Sequence, residues 1–171
     1  MKWLNCAKIR LVLVVFVVAI GLSAGGSANA DFTFGAPTNL WPPTFDGSDP
    51  QGCCFSRDGL ELYFSSLPRG GYGNWDIWVT ERETLDAPWG EPVNLGPNVN
   101  SAAGEVEPTI SPDGLELYFG FWSDYDIRVC TRTSKDAPWS KTELLGSPIG
   151  GYKNMQAEVS PDGLSLYYAS Q

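Results

Sequence analysis

The nine residues Ser111 to Phe119 read S-P-D-G-L-E-L-Y-F, and the chain contains two close copies of this stretch. One copy is S-R-D-G-L-E-L-Y-F at Ser56 to Phe64, and the other is S-P-D-G-L-S-L-Y-Y at Ser160 to Tyr168. Successive copies lie 55 and 49 residues apart. Self-similarity at a nearly fixed period predicts a repeat architecture in which each copy is one supersecondary unit.

Two further motifs recur in the same order at an offset of 50 residues. D-I-W-V-T at Asp76–Thr80 matches D-I-R-V-C at Asp126–Cys130, and D-A-P-W at Asp86–Trp89 matches Asp136–Trp139. Several motifs in one order and at one spacing indicate tandem repeats rather than chance similarity.

The S-P-D-G segment is typical of a tight turn. Proline fixes φ at the second turn position, aspartate favours the third, and glycine takes the positive φ that follows. We therefore interpret the repeated aspartates and glycines as turn residues rather than as a carboxylate site: Asp58, Gly59, Asp113, Gly114, Asp162 and Gly163. Asp76 and Asp126 begin strands, where we expect them to bond to nearby loop backbone.

The residues after each turn alternate as in a β-strand. In the second copy Leu115, Leu117 and Phe119 point one way, and Glu116 and Tyr118 point the other. Large apolar or aromatic residues on both faces favour a sheet packed between two neighbours. Several short strands per repeat, with both faces covered, predict a β-propeller blade.

We predict an all-β chain of about two and a half four-stranded blades. The predicted elements are an outer strand at 33–40, a blade over 51–95 with strands 51–56, 60–66, 76–82 and 91–95, a blade over 105–145 with strands 105–111, 115–120, 126–132 and 141–145, and a half blade over 156–171. Because closed propellers have typically about four to eight blades, we expect an incomplete ring. The remaining blades would come from a longer chain or from other copies.

The repeat resembles a known family. S-P-D-G-L-x-L-Y-F, followed by a D-I-W-V strand and a W-x-x-P-V-N-L-G strand, is similar to the WD-like β-propeller repeats of the TolB type, over residues 32–171. These repeats occur in periplasmic and secreted bacterial proteins, and the resemblance implies a binding or scaffold module. The chain departs from the pattern at Arg57, at Arg128 and at Cys53-Cys54, which we interpret as local changes of packing.

Residues 1–30 differ in composition from the rest of the chain. Three basic residues precede the apolar run Leu11 to Leu22, and small residues end at Ala28-Asn29-Ala30. This order is typical of a secretory signal peptide, cleaved after Ala30. The alternative is an uncleaved anchor, but a helix of twelve residues spans only about 18 Å of a hydrocarbon core of about 30 Å. We predict export to the periplasm or the extracellular space, with no membrane span after cleavage.

Composition excludes several classes of function. The 171 residues contain no histidine, which excludes His-dependent nucleophilic catalysis and His-ligated zinc within this chain. A net charge of -9 opposes binding to nucleic acid. Asp46 and Asp49 offer hard oxygens but lack the ligand order of an EF-hand, so we predict a plain acidic loop, no metal site and no cofactor.

Cys53, Cys54 and Cys130 would remain after cleavage of the signal peptide. An exported compartment permits disulfides. A vicinal Cys53–Cys54 bond, a bond from one of these two to Cys130, and three free thiols all stay open.

Two acidic residues are candidates for binding or chemistry. We expect Glu105 and Glu107 to lie on one face of an inner strand, toward the central channel, as solvated lining. A pair of carboxylates at the channel is also what a carbohydrate-active hydrolase, a glycosidase- or sialidase-like propeller, would need.

Three aromatic residues, Tyr72, Trp75 and Trp122, fall in the loops between second and third strands. Exposed aromatic side chains on a rigid scaffold stack on ligands or anchor a partner. We therefore predict a non-enzymatic, exported β-propeller module for protein or glycan binding or scaffolding. The acidic hydrolase and a structural repeat of a surface assembly are the alternatives.

Overall fold

The computed structural model describes residues 48–67, 70–146, 149 and 154–170, without the side chains at 48, 49, 154 and 155. The predicted signal peptide at 1–30, the outer strand at 33–40 and Asp46 lie outside the described residues. Within them the chain forms strands and no helix, so the all-β prediction is confirmed. None of the described residues belongs to a helix that could cross a lipid bilayer.

In the part of the chain that the structure describes, ten strands form three antiparallel sheets, each in chain order. The first sheet holds β1 (Ser48–Phe55), β2 (Glu61–Leu67), β3 (Asp76–Glu81) and β4 (Val93–Asn94). The second sheet holds β5 (Glu105–Ile110), β6 (Glu116–Phe121), β7 (Asp126–Thr131) and β8 (Glu143–Leu144). The third sheet pairs β9 (Asn154–Val159) with β10 (Leu166–Ser170).

The outer strands β4 and β8 are shorter than the five-residue strands expected at 91–95 and 141–145. Pro92 precedes β4 and has no N–H to donate to a strand partner. Before β8, the N–H of Thr142 donates instead to the carbonyl of Asn98, at 2.9 Å. Each outer strand therefore keeps two residues of pairing.

In the described residues the first strand of each sheet contains a bulge at the same repeat position. The register shifts between Gln51 and Cys53 in β1, between Val106 and Thr109 in β5, and opposite Tyr167–Ala169 in β9. The residues concerned have positive φ: 47° at Gly52, 54° at Glu107 and 57° at Gln156. An extra residue in one strand bends it and increases its twist.

The bulges of successive inner strands touch one another. A Cβ atom on Gly52 would lie 2.7 Å from the Cα of Glu107, so only glycine permits this approach. The Glu107 side chain in turn accepts a hydrogen bond of 3.1 Å from the amide of Gln156. The three inner strands therefore lie side by side in chain order.

The main core lies between the first and second sheets. Its buried members are Tyr63, Ile77, Val79, Val99, Ile110, Leu117, Phe119, Cys130 and Trp139. Both faces of β2 are buried, since its burial pattern is continuous from Glu61 to Ser66. A strand buried on both faces is what the alternation of large residues predicts.

The S-x-D-G segments form three equivalent turns. The Asp113 carboxylate accepts hydrogen bonds from the Ser111 hydroxyl at 2.6 Å and from the Leu115 N–H at 3.0 Å. Asp58 and Asp162 make the same pair of bonds in their own copies. The following glycines have φ of 71° at position 59, 76° at 114 and 73° at 163, as the turn interpretation predicts.

Replacing Gly114 with alanine should cost about 1 kcal/mol or more of unfolding free energy, because a residue with a Cβ is strained at this φ. The new Cβ would also lie 3.2 Å from the Lys135 Cε. Asp113→Asn should be milder, since an asparagine oxygen still accepts both hydrogen bonds. Urea denaturation of both variants measures the difference, and a larger loss for Asp113→Asn would contradict the interpretation.

The turn aspartates make the fold sensitive to acid. Hydrogen bonds from Lys135 and Ser56 lower the pKa of Asp58, and those from Ser111 and Ser160 lower the pKa of Asp113 and Asp162. A carboxylate whose pKa is lower in the folded state stabilises the fold above its unfolded pKa. This stability is lost as the pH falls below that value of 3.8.

Melting temperatures should therefore fall as the pH drops below about 4. The variant Asp58→Asn/Asp113→Asn/Asp162→Asn should lose part of this dependence, because it removes the three carboxylates. Thermal melts of both proteins across the acid range test this. Identical pH profiles would show that other groups carry the acid response.

An arginine joins the second sheet to the first. The Arg132 guanidinium donates to the carbonyls of Gly114 at 2.7 Å and Lys135 at 2.8 Å, and lies over the Trp139 ring at 4.5 Å. It also pairs with the buried Glu61 of the first sheet at 3.3 Å. Lys135 and Asp58 form a second, exposed ion pair between the two sheets, at 2.6 Å.

Candidate functional site

One connecting segment, residues 101–105, lies between two loops of neighbouring sheets. The N–H of Asn74 donates to the Ala103 carbonyl at 3.0 Å, and the N–H of Glu105 donates to the Trp75 carbonyl at 2.8 Å. On the other side, the N–H of Trp122 donates to the Gly104 carbonyl at 2.8 Å. The loop before β3 and the turn after β6 are therefore fixed to the same piece of backbone.

This arrangement brings the three predicted aromatic residues to one region. Tyr72 is 50% exposed and Trp122 is 49% exposed, while Trp75 is half-buried against Gly104. Tyr125, which the sequence did not single out, is 39% exposed and lies 6.0 Å from Trp122 between ring centroids. We call these four residues the aromatic face.

Two glycines allow the close packing beneath the aromatic face. A Cβ on Gly73 would lie 2.3 Å from the Ser101 carbonyl oxygen and 2.4 Å from that of Ala103. A Cβ on Gly104 would lie 3.2 Å from the Cβ of Trp122. A side chain at Gly73 could not enter without moving backbone, so this position holds the loop of Tyr72 and Trp75 in place.

A buried polar network supports the loops from below. Asp76 is fully buried, and its Oδ2 accepts hydrogen bonds from the Tyr72 N–H at 2.8 Å and the Asn94 amide at 2.7 Å. The prediction that Asp76 bonds to loop backbone is therefore confirmed. Asn100 donates to the Asn94 oxygen at 2.9 Å, and its own oxygen accepts the Ile77 N–H at 2.8 Å. Hydrogen bonds to a buried carboxylate are among the stronger ones in proteins.

Glu105 is fully buried, so the prediction of a solvated channel-lining residue is wrong at this position. Its carboxylate accepts hydrogen bonds from the Ser101 hydroxyl at 2.6 Å and the Ser101 N–H at 3.1 Å. Burial raises the pKa of the Glu105 carboxyl, the Ser101 donors oppose the rise, and the nearby charge of Asp76 adds to it. Glu105 thus orders the 101–105 segment and does not face a ligand.

Glu107 and Glu105 bond to different residues, Gln156 and Ser101 respectively. It lies at the bulge of β5, where Gln156 binds one of its carboxylate oxygens. The neighbouring carboxylate that raises the pKa of Glu105 is that of Asp76. The structure therefore does not bring Glu105 and Glu107 together on a common partner.

An open cleft of about 340 Å³ adjoins the aromatic face. It is lined by residues 97–101, Phe121, Arg128, Lys141 and Thr142. Ser101 connects it to the aromatic face, because the Ser101 carbonyl packs against Gly73, the residue after Tyr72. Clefts of this size accommodate small organic ligands.

One wall of the cleft is fixed to both sheets. Asn100 binds the backbone of Ile77 in the first sheet through its oxygen and its amide. Asn98 donates to the Trp139 carbonyl at 2.8 Å, and its own carbonyl accepts the Thr142 hydroxyl at 2.9 Å. A wall held on both sides keeps its shape without a ligand, which lowers the entropic cost of binding.

Two cations line the cleft. The Arg128 guanidinium lies over the Phe121 ring at 4.4 Å and forms an ion pair with Asp124 through Nη2. Its Nε is buried and has no hydrogen-bond partner. Lys141 is exposed.

The three cysteines of the described region are free thiols. Cys130 is buried, its sulfur lies 3.2 Å from the Thr142 hydroxyl, and burial raises its pKa. Cys53 is exposed and Cys54 half-buried, and burial raises both thiol pKa values too. A raised pKa disfavours the thiolate, so none of the three is an activated nucleophile.

The cleft escaped sequence reasoning, although the sequence carries a signal for it. Arg128 occupies the repeat position of Trp78, and Lys141 occupies that of Glu91, each 50 residues earlier. Of these two residues, the comparison with the family pattern marks only Arg128 as a departure, and there it predicts a change of packing. Two positions that differ from their repeat equivalents and both carry a cation are the sequence signal that indicates this site.

No protein-family model matches the chain, and no curated protein matches it either. Among the residues that the structure describes, no group of three or more Cys, Asp or Glu side chains is arranged to hold a metal ion. The functional assignment therefore depends on the geometry of the aromatic face and the cleft.

Proposed function

We propose that this chain is an exported, non-catalytic β-propeller module that binds a glycan or a protein through the aromatic face. The observation that carries the proposal is the pair of half-exposed rings, Tyr72 and Trp122, on loops fixed to one backbone segment. Large aromatic side chains held rigidly lose little entropy on binding and supply much of the contact area of a binding site.

The arrangement of the sheets supports the propeller. The first and second sheets share one core, and their inner strands β1 and β5 meet at the bulges. The third sheet continues the series through the contact of Glu107 with Gln156. Inner strands that lie side by side in chain order are what a propeller requires around its axis.

The environment of the aromatic face favours a glycan. The adjoining cleft is lined by amide and hydroxyl side chains and two cations, together with the apolar residues Pro97, Val99 and Phe121. Saccharides present hydroxyl groups around flat ring faces, so they need polar partners and an aromatic surface together. The enclosed carboxylate of Glu105 supports binding rather than hydrolysis, since a glycosidase carboxylate must reach the scissile bond.

Trp122→Ala should weaken glycan binding about tenfold or more, as expected for an aromatic residue at the centre of a binding site. Affinity electrophoresis and calorimetry with the whole chain measure this against a panel of neutral and acidic oligosaccharides. Tyr167→Ala is the matched control, because Tyr167 is also exposed but lies on β10, outside the aromatic face. Equal losses in both variants would contradict the proposal.

A further inference from the structure

The cation pair of the cleft is a local feature of the second sheet and not a requirement of the repeat. At the equivalent positions the first sheet carries Trp78 on β3 and Glu91 before β4. The first sheet folds with an aromatic and an acidic residue where the second has Arg128 and Lys141. The two cations therefore need an explanation other than the strand architecture.

The charge of the surroundings makes two adjacent cations unusual. The chain has a net charge of -9, with eleven basic and twenty acidic residues. Within the described residues Lys141 has no carboxylate partner, and Asp124 is the one ion-pair partner of Arg128. Both cations therefore keep donor groups for an anion that enters the cleft.

Arginine is suited to binding oxyanions, both carboxylates and phosphates. Its guanidinium is planar and presents several N–H donors in a geometry that matches a carboxylate. Stacking on Phe121 at 4.4 Å holds the plane of Arg128, so that its orientation is set before a ligand arrives. Lys141, which is exposed, adds a flexible point charge to the lining of the cleft.

We propose that the cleft binds the carboxylate of an acidic saccharide, a uronic-acid unit whose neighbouring sugar rings continue onto the aromatic face. Arg128 and Lys141 hold the carboxylate, and Trp122 stacks on an adjacent ring. The volume of about 340 Å³ is within the range of small-ligand sites, and Ser101, which lines the cleft, packs against Gly73 in the loop of Tyr72. This inference depends on the proposed function, because it names the ligand class of the same surface.

The repeat itself supplies the test variants. Arg128→Trp and Lys141→Glu install the residues that the first sheet uses at these positions, so the strands should still form. Because Lys141 is exposed, we expect Lys141→Glu to fold normally. Arg57→Glu changes the net charge by the same amount as Lys141→Glu, at an exposed turn residue that does not line the cleft.

The experiment compares three uronic-acid oligosaccharides, of galacturonic, mannuronic and glucuronic acid, with their methyl esters by calorimetry on the whole chain. At least one acid should bind about tenfold more tightly than its ester, because the ester keeps the ring and removes the charge. Arg128→Trp and Lys141→Glu should each abolish most of this preference, and Arg57→Glu should retain it. Added salt should weaken binding of the acid more than binding of the ester.

The failures separate the inference from the proposed function. If acids and esters bind equally and Trp122→Ala weakens both, the proposed function stands and the inference is overturned. If acetate competes as well as an oligosaccharide does, the cleft binds any free carboxylate, and the assignment of a saccharide ligand is overturned. Binding of no oligosaccharide in either form would overturn the inference and the glycan form of the proposed function together.

Discussion

Replacing Arg132 with alanine should lower the free energy of unfolding by about 3–5 kcal/mol, the loss expected when one partner of a buried ion pair is removed. The Arg132 side chain is 6% exposed and that of Glu61 is 11% exposed, so the remaining carboxylate would be buried without a cation. One carboxylate oxygen of Glu61 already lacks a hydrogen-bond partner. The variant would also leave the carbonyls of Gly114 and Lys135 without their donor.

The first sheet supplies a matched control for this prediction. Arg82 makes the same local contacts, with the carbonyls of Gly59 at 2.9 Å and Leu85 at 2.7 Å and with the Trp89 ring at 4.4 Å. In the described residues it has no counterpart of Glu61. Arg82→Ala should therefore cost only about 1–2 kcal/mol, the value of the local hydrogen bonds. Urea denaturation compares the two, and equal losses would show that the pair between sheets contributes nothing.

Gly73→Ala should be the second large effect, and it should act on binding as well as on stability. The added Cβ would overlap two carbonyl oxygens of the 101–105 segment, at 2.3 and 2.4 Å. Overpacking of this kind costs about 1–3 kcal/mol and shifts backbone. Because Gly73 lies between Tyr72 and Trp75 in the same loop, displacement of the loop should weaken oligosaccharide binding about tenfold, even though neither ring is changed.

Gly70→Ala in the same loop separates steric overlap from backbone conformation. Gly70 has a φ of 85° but no atom within 4 Å of the position of a Cβ. Its replacement should cost about 1 kcal/mol through the unfavourable φ and leave binding nearly unchanged. Calorimetric affinities and thermal melts measure both variants. If Gly73→Ala binds as tightly as the unchanged chain, the close contact with residues 101–103 does not position the aromatic face.

The turns and most strands could be predicted because their chemistry is local. In S-P-D-G the side chains of Ser111 and Asp113 bond to each other and to the next few backbone groups, so the sequence contains every partner. The alternation after the turn likewise specifies a strand with two covered faces. Because these preferences are local and agree with the fold, the repeat can be predicted from the sequence.

The bulges and the burial of Glu105 could not be predicted, because their causes are distant in sequence. Of the three bulge positions only Gly52 is a residue type that signals positive φ, whereas Glu107 and Gln156 do not. Glu105 is enclosed by loops that belong to two different sheets. The cleft combines Arg128 and Lys141 with the 97–101 segment, and no local rule joins these three parts.

The turns and the bulges differ in whether the same residue can occur at that position in successive repeats. Each S-x-D-G turn is closed by a bond between its own serine and aspartate, and among the described residues only Asp58 also pairs with a residue of the next copy, Lys135. At the bulge a copy instead touches the same position of the next copy. A fresh duplicate would place Glu107 against another glutamate, and like charges at such a contact repel. A charged residue at this position therefore cannot recur in successive copies without repulsion, and the neutral glycine and glutamine in the copies on either side of Glu107 avoid it.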